Sequence, residues 1–196
     1  MPHTQPHSAD TAPRTVSSAE AADVLARGGV IAYPTETVWG IGCDATDSRA
    51  VRRIFDIKRR AEAKALITLV PSVAALERWV DDIPDVAYEL LDAAVDPLTV
   101  VYDHPRGLAP ELLAPDGSAG LRIVPLPIFR KWRKPLVSTS ANISGAPAPR
   151  TLAELSPEII AAVDAIVSPA DAPPAAGRPS TVIKISDGGL FKILRK

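Results

Sequence analysis

Short apolar segments alternate with amphipathic segments along the 196 residues of this chain. The apolar segments have the length and the flanking turn residues of strands, and they lie at residues 30–33, 65–70, 98–102, 120–124, 136–138, 181–185 and 190–194. The amphipathic segments are typical of helices and lie at residues 17–27, 47–58, 72–79 and 85–94. Because strands and helices are mixed without strict alternation, the pattern predicts an α/β fold built on a mixed sheet.

Two of the predicted helices begin at clear capping signals. Ser17 followed by Glu20 forms a capping box ahead of the first helix, and the glycine pair at residues 28–29 ends it. Asp47 is a favourable N-cap residue for the second helix. The inner face of that helix is expected to carry Val51, Ile54 and Phe55.

The chain divides into a short tail and one domain. Residues 1–16 are rich in proline, histidine and threonine, and this composition predicts a flexible N-terminal tail. Residues 17–196 are long enough to form a single domain with a sizeable core. The prolines between residues 169 and 179 predict a long loop of the kind that often covers a binding site.

Composition narrows the class of protein. The net charge is −1 and the isoelectric point is about 6.3, which argues against a broad basic surface for nucleic acid. Basic residues do cluster at residues 52–64 and 130–134, and such runs usually form solvated helix faces. No apolar stretch is long enough to span a bilayer and no secretory signal is visible, so we expect a cytoplasmic protein without membrane contact.

Several familiar site signatures are missing from the sequence. Cys43 is the single cysteine, so an internal disulfide and a cysteine-based zinc site are excluded. The chain contains neither a P-loop nor a Rossmann glycine motif. His104 is the one histidine of the predicted domain and has no nucleophile beside it, which argues against a serine–histidine triad.

Three polar segments carry the candidate chemistry. Tyr-Pro-Thr-Glu-Thr-Val-Trp-Gly-Ile-Gly lies at residues 33–42 and begins at the end of a predicted strand. Leu-Val-Ser-Thr-Ser-Ala-Asn-Ile-Ser-Gly lies at residues 136–145 and begins with the predicted strand at residues 136–138. Hydroxyl and carboxamide side chains at strand ends bind small polar ligands in open α/β sheets, although a capped turn explains the same residues. The third segment is Lys-Arg-Arg at residues 58–60, which could hold a polyphosphate or only complement the helix dipole.

In this order, the three segments resemble the YrdC/TsaC family of threonylcarbamoyl-AMP synthases. The resemblance rests on the motif at residues 33–42, on Lys58-x-Arg60 and on Ser140-x-Asn142, and it extends over about residues 17–196. It is to the short form of the family, without the extra C-terminal domain of longer relatives. It implies an open, twisted mixed sheet with flanking helices around a large concave basic cavity, the YrdC/RibB-like fold.

The resemblance also implies a reaction. Members of the family combine L-threonine, bicarbonate or CO2, and ATP into threonylcarbamoyl-AMP, and they release pyrophosphate. A partner complex then transfers the threonylcarbamoyl group to an adenosine of tRNA. Mg2+ is expected to arrive with the phosphates of ATP, without direct protein ligands.

The expected site residues come from the resemblance, position by position. Lys58 and Arg60 are expected to be the catalytic cations that hold the ATP phosphates. The remaining ATP ligands would be Ser140, Asn142 and Arg195. The ligands of L-threonine would be Thr35, Arg122, Ser138 and Ser180, with Arg122 pairing the carboxylate. Thr139 and Ser144 are expected to be structural.

Other interpretations stay open at this point. A non-catalytic module could bind double-stranded RNA or tRNA through the two basic clusters, although the slightly negative net charge disfavours it. A related carbamoyl-transfer domain occurs inside hydrogenase-maturation proteins, which carry additional domains. Within the enzyme interpretation, Glu36 is the one carboxylate of the first motif and is a candidate to take the proton from the threonine amine.

Overall fold

Helices and strands are mixed along the chain in the computed structural model, which describes residues 13–59, 66–173, 179–186 and 190–195. The helices are α1 Ser18–Ala26, α2 Ser48–Lys58, α3 Val73–Leu76, α4 Asp85–Ala93 and α5 Pro157–Ala162. The strands are β1 Arg14–Val16, β2 Ile31–Pro34, β3 Trp39–Gly42, β4 Ile67–Val70, β5 Leu98–Tyr102, β6 Ala119–Ile123, β7 Leu136–Ser140, β8 Ala165–Val167, β9 Thr181–Ile185 and β10 Phe191–Arg195. Short 3₁₀ helices lie at Pro110–Leu112, Pro127–Arg130, Leu152–Glu154 and Pro169–Asp171.

The strands form one sheet with the order β1-β8-β2-β3-β7-β4-β6-β5-β9-β10. The pairs β1/β8, β2/β8, β4/β6 and β5/β9 are parallel, and the other neighbours are antiparallel. Parallel neighbours need crossover connections, which carry helices onto the faces of the sheet. The predicted α/β fold, with an open mixed sheet and flanking helices, is therefore confirmed.

Local capping signals define the first two helices as predicted. The Ser17 side chain accepts from the backbone N–H of Glu20, and the Glu20 carboxylate accepts from the backbone N–H of Ser17 at 2.9 Å. Asp47 caps α2 by accepting from the backbone of residues 49 and 50. The helix ends at Arg59, whose φ of 49° places it in the left-handed region. The three expected inner residues of α2 are buried: Val51, Ile54 and Phe55.

Strand β3 is absent from the sequence prediction, which treats residues 33–42 as a strand end followed by a loop. The two glycines of β3 explain why the sequence does not predict this strand and also why the strand can form. A Cβ on Gly42 would lie 2.2 Å from the carbonyl oxygen of Val137, and one on Gly40 would lie 3.2 Å from that of Thr139. Glycine is a poor strand former by propensity, but here it lets β3 pair closely with β7. The two hydroxyl-rich segments are therefore neighbours in the sheet.

The N-terminal segment contributes to the sheet. Residues 14–16, which the sequence analysis assigns to the tail, form β1 and pair in parallel with β8. Strand β8, also unpredicted, is a short buried apolar run after α5. Residues 1–12 of the predicted tail lie outside the described residues, as do residues 174–178 of the predicted loop.

The core occupies both faces of the sheet. Leu136 of β7 packs in the cluster that contains α1, while Val137 packs in the cluster that contains α2 and α5. A third cluster joins α3 to β5, β6 and β9. Both faces at β7 are therefore covered, and the polar end of this strand is the part left for a site. No helix in the described ranges has the length and apolarity that crossing a bilayer requires.

Candidate functional site

A cavity of about 260 Å³ opens where the turn between β2 and β3 meets the ends of β7 and β10 and the strands β4 and β6. Its polar lining consists of Thr35, Thr37, Arg122, Ser138, Thr139, Ser140, Ser180 and Arg195. No carboxylate belongs to the described lining, so two guanidinium groups set its charge. Hydroxyls combined with guanidinium groups suit a small ligand that carries carboxylate or phosphate groups.

The Thr35 side chain closes the turn between β2 and β3. Its hydroxyl accepts from the backbone N–H groups of Thr37 at 3.1 Å and Val38 at 3.3 Å, and it donates to the Val38 carbonyl at 2.7 Å. The hydroxyls of Thr35 and Thr37 lie 2.9 Å apart, and both residues line the cavity. Glu36, between them, contacts Arg122 instead.

Arg122 is anchored in the middle of the sheet. It lies on β6 opposite Leu69 of β4 and Thr99 of β5. Its side chain is 7% exposed, and Nη2 donates to Oε1 of Glu36, whose side chain is 20% exposed. Arg122 Nε and Glu36 Oε2 are buried without a hydrogen-bond partner. The ion pair therefore holds Arg122 through one contact and leaves further hydrogen-bonding capacity on both members.

Ser180 connects β5 to the last strand. Its hydroxyl lies 2.9 Å from the hydroxyl of Thr99, and Arg195 Nη2 donates to the Ser180 carbonyl at 3.0 Å and to its hydroxyl at 3.4 Å. No carboxylate within the described ranges pairs with Arg195. Thr99 was not predicted; the signal for it is a hydroxyl within the otherwise apolar strand β5, at a fully buried position.

The end of β7 brings three consecutive hydroxyl side chains to the cavity. Ser138, Thr139 and Ser140 all line it, so Thr139 is part of the lining rather than a purely structural residue. Tyr33 supports this strand: its hydroxyl donates to the carbonyl of Val137 at 3.3 Å. Burial raises the pKa of Tyr33 far above the ordinary value. The phenol is therefore a neutral donor at physiological pH.

Lys58 lies beside the cavity and points at the backbone of the second hydroxyl-rich segment. Its ammonium donates to the Ser140 carbonyl at 2.6 Å, to the Asn142 carbonyl at 2.8 Å and to Asn142 Oδ1 at 3.4 Å. The residue is 2% exposed. The Asn142 amide in turn donates to the carbonyls of Ile143 and Ala146. Lys58 thus fixes the segment that follows β7 and brings a positive charge to it.

A second cavity of about 490 Å³ adjoins the first. Asn142 lines the second cavity, and Ala148 lines both. Glu154 and Glu158 also line it, so its lining contains carboxylates, which the described lining of the first cavity does not. The Glu158 carboxylate is in an ion pair with Arg59.

The structure brings most of the predicted site residues together. Six of them line the first cavity: Thr35, Arg122, Ser138, Ser140, Ser180 and Arg195. Lys58 and Asn142 lie next to it at the end of β7. Arg60 lies outside the described residues. Within the described ranges, no group of three acidic, histidine or cysteine side chains could hold a metal ion.

Comparison with known proteins finds relatives that are named threonylcarbamoyl-AMP synthase. A threonylcarbamoyl-AMP synthase of Xanthomonas campestris pv. campestris (strain B100) is 38% identical over 167 residues, which cover 79% of this chain and 87% of the relative. A protein of the same name from Xanthomonas euvesicatoria pv. vesicatoria (strain 85-10) is 40% identical over 164 residues, covering 78% of this chain and 86% of the relative.

Solved structures share the fold. P. abyssi Sua5 complexed with L-threonine superimposes with a TM-score of 0.77 at 29% identity, over 86% of this chain and 50% of Sua5. The chain therefore spans about half the length of that protein. E. coli YciO superimposes with a TM-score of 0.73 over 94% of this chain and 92% of YciO, and at 22% identity it supports the fold alone. The family profile described as "Telomere recombination" matches residues 23–196, and the chain belongs to this Sua5/YciO/YrdC family.

Proposed function

We propose that this protein is a threonylcarbamoyl-AMP synthase that joins L-threonine, bicarbonate or CO2, and ATP and releases pyrophosphate. The observation that carries the proposal is one cavity lined by two arginines and by hydroxyl side chains from four strands or their ends, with no carboxylate in its described lining. Support also comes from relatives that bear this name and from a Sua5 structure complexed with L-threonine.

L-Threonine occupies the Arg122 end of the cavity in this proposal. The guanidinium of Arg122 pairs with the amino acid carboxylate, since one of its nitrogens is held by Glu36 and the others remain available. Thr35, Ser138 and Ser180 surround the rest of the ligand. The hydroxyls of Ser138 and Ser180 can accept or donate, whereas that of Thr35 is already engaged with the backbone of residues 37 and 38. A methyl group in such a fitted pocket separates threonine from serine by about 1–3 kcal/mol.

ATP binds next to L-threonine in this proposal. Arg195, Ser140 and Asn142 are the proposed nucleotide ligands, with Lys58 and Arg60 adding positive charge for the phosphates. The Lys58 ammonium lies 2.6 Å from the Ser140 carbonyl, so its charge is next to the segment that would face the nucleotide. Mg2+ would enter with ATP as part of the substrate, and its charge would help to neutralise the phosphates.

The chemistry needs positioning more than a protein nucleophile. Threonine and bicarbonate condense to N-carboxythreonine with loss of water, and an oxygen of the new carbamate group, not of the threonine carboxylate, attacks the α-phosphorus of ATP. The bond from the α-phosphorus to the bridging oxygen breaks, and pyrophosphate leaves. Cations and hydroxyls that hold two anionic reactants side by side supply the main catalytic effects of proximity and charge neutralisation. The product would then serve a partner complex that modifies an adenosine of tRNA.

Product formation tests the proposal. Purified protein is incubated with L-threonine, bicarbonate, ATP and Mg2+, pyrophosphate is measured, and the adenylate is identified by mass. We expect release to require all four components, and L-serine to be used about tenfold or more less efficiently. Pyrophosphate release that is independent of threonine would contradict the proposal.

Binding of RNA without catalysis has less support. Three cations of the first basic cluster are in ion pairs: Arg52 with Glu111, Arg53 with Asp164 and Arg59 with Glu158. Paired cations contribute little to phosphate-driven binding, which depends on releasing counterions from nucleic acid.

A further inference from the structure

The Glu36–Arg122 ion pair joins the turn between β2 and β3 to β6, although β7 and β4 lie between these elements in the sheet. Arg122 lines the cavity, whereas Glu36 is not among the described lining residues. The carboxylate therefore acts on the cavity from behind the guanidinium, through the charge that it adds.

This pair makes the two arginines of the cavity electrically different. Arg122 has a carboxylate in direct contact, so its position carries close to zero net charge. Within the described residues, the Arg195 guanidinium donates to the carbonyl and hydroxyl of Ser180 and pairs with no carboxylate, so its position keeps its positive charge. An anion such as a phosphate gains more from Arg195 than from Arg122.

We propose that Glu36 is a specificity-determining residue that makes the Arg122 end of the cavity selective for zwitterionic amino acids over simple carboxylates. The inference rests on the proposed function, because it concerns the position assigned to L-threonine. A simple carboxylate gains from Arg122 but is repelled by Glu36. An amino acid brings an ammonium group as well, and the same glutamate attracts that group.

The charges of the pair are not shared with other groups. Glu36 Oε2 is an acceptor and Arg122 Nε is a donor, and both are buried without a partner among the described residues. A second donor on Glu36 would weaken the field that its charge exerts on a neighbouring ligand. The carboxylate charge therefore acts on a ligand bound beside the guanidinium without being offset by other donors.

The structure favours this role over that of a proton acceptor for Glu36. A proton acceptor has to reach the threonine nitrogen, within hydrogen-bond distance or through one water. Glu36 is in contact with Arg122 and lies outside the described lining of the cavity. Selection by charge acts through the guanidinium and needs no direct contact at the reacting nitrogen.

Calorimetric binding of two ligands tests the proposal. The ligands are L-threonine and (R)-3-hydroxybutyrate, which is threonine without its amino group. The measured quantity is the ratio of their dissociation constants in the wild type and in Glu36→Gln, which removes the charge and keeps the shape. We expect the preference for threonine to fall by about tenfold in the variant, with threonine bound more weakly and hydroxybutyrate more tightly.

Glu111→Gln is the matched control. Glu111 is also largely buried in an ion pair with an arginine, Arg52, and its Oε2 also lacks a partner, but it lies away from the cavity. The ratio of the two dissociation constants in Glu111→Gln should equal that of the wild type. An unchanged ratio in a Glu36→Gln protein that still binds ATP would overturn the proposal.

Glu36→Asp keeps the charge and covers the case in which the glutamine variant does not fold. We expect the aspartate variant to retain most of the wild-type ratio. A ratio that collapses in this variant would assign the selectivity to side-chain shape and overturn the proposal. A wild type that binds no threonine would instead refute the proposed function itself.

Discussion

Two arginines line the same cavity, but the protein holds them in opposite ways. Arg122 lies on β6 in the middle of the sheet, is 6% exposed and is in an ion pair with Glu36. Arg195 lies on β10, an edge strand whose residues are all exposed, and within the described residues its guanidinium donates hydrogen bonds to Ser180. One guanidinium is fixed and neutralised by its surroundings, while the other keeps its charge at the edge of the sheet.

This difference fits the two proposed substrates. An amino acid is small and overall neutral, and a fixed, paired arginine recognises its carboxylate with little reorganisation. ATP is large and highly anionic, and an arginine without a carboxylate partner can adjust to its phosphates. Edge strands with little buried apolar surface have low local stability, so β10 is the part of the cavity wall that can move most easily.

The largest effect is expected from removing the fixed arginine. Arg122→Ala leaves Glu36 as an uncompensated, mostly buried charge, and breaking a buried pair in this way costs about 3–5 kcal/mol. We expect a large fall in the melting temperature and a loss of threonine-dependent pyrophosphate release by about a hundredfold or more. Arg133→Ala removes an exposed arginine and serves as the control; equal effects of the two variants would contradict the comparison.

Lys58→Met sharpens the comparison at the nucleotide end. The substitution keeps the bulk of the side chain but leaves the carbonyls of Ser140 and Asn142 without their ammonium donor. An unsatisfied buried acceptor costs about 1–3 kcal/mol. We expect the affinity for ATP to fall by about tenfold or more, and that for threonine to fall less, in parallel calorimetric titrations. A larger loss for threonine than for ATP would count against the assignment of Lys58.

Gly42→Ala tests how tightly strands β3 and β7 are held together beside the cavity. The new Cβ would lie 2.2 Å from the Val137 carbonyl oxygen, so β3 and β7 have to separate. Overpacking of this kind costs about 1–3 kcal/mol. Gly40→Ala, where the closest oxygen is at 3.2 Å, should cost less. Denaturant unfolding of both variants measures the difference, and equal stability of the two would show that the sheet yields at this point.

The smallest effect concerns the outer strands. Lys184 of β9 lies 2.6 Å from Asp116, and this contact together with Ser118 lowers the pKa of Asp116 well below its ordinary value. A lowered pKa stabilises the fold above the unfolded-state value of about 4 and loses that contribution as the pH falls below it. The Asp116 side chain is exposed, so Asp116→Asn should cost less than about 1 kcal/mol at pH 7. Melting temperatures measured against pH should converge in acid; a constant gap would contradict the ion-pair explanation.

Local signals in the sequence were sufficient for the helices. The capping box of Ser17 and Glu20 and the cap of Asp47 each act within a few residues, so helices α1 and α2 were predicted well. Strand β3 was not predicted because its stability comes from pairing with β2 and β7. Its two glycines have a low propensity for strands and give no sign of this pairing. Whether such a segment forms a strand depends on its pairing with distant segments, and this pairing cannot be predicted from a single sequence.

The same distinction applies to the site. The resemblance identified six of the eight polar residues that line the cavity, because each belongs to a short motif. The pairing of Glu36 with Arg122 joins residues 86 positions apart, and it is a property of the fold alone. The hydrogen bonds from the Lys58 ammonium to the carbonyls of Ser140 and Asn142 also join residues that are far apart in the sequence. The sequence therefore predicts which side chains form the site, but it does not predict the ion pair and the hydrogen bonds between them.

Binding of each substrate to the two arginine variants tests the central claim most directly. L-Threonine and ATP with Mg2+ are titrated separately into the wild type, Arg122→Ala and Arg195→Ala. We predict that Arg122→Ala loses threonine affinity by about tenfold or more and keeps its ATP affinity, and that Arg195→Ala shows the reverse. Loss of threonine binding in Arg195→Ala with ATP binding intact would contradict the division of the cavity between the two substrates.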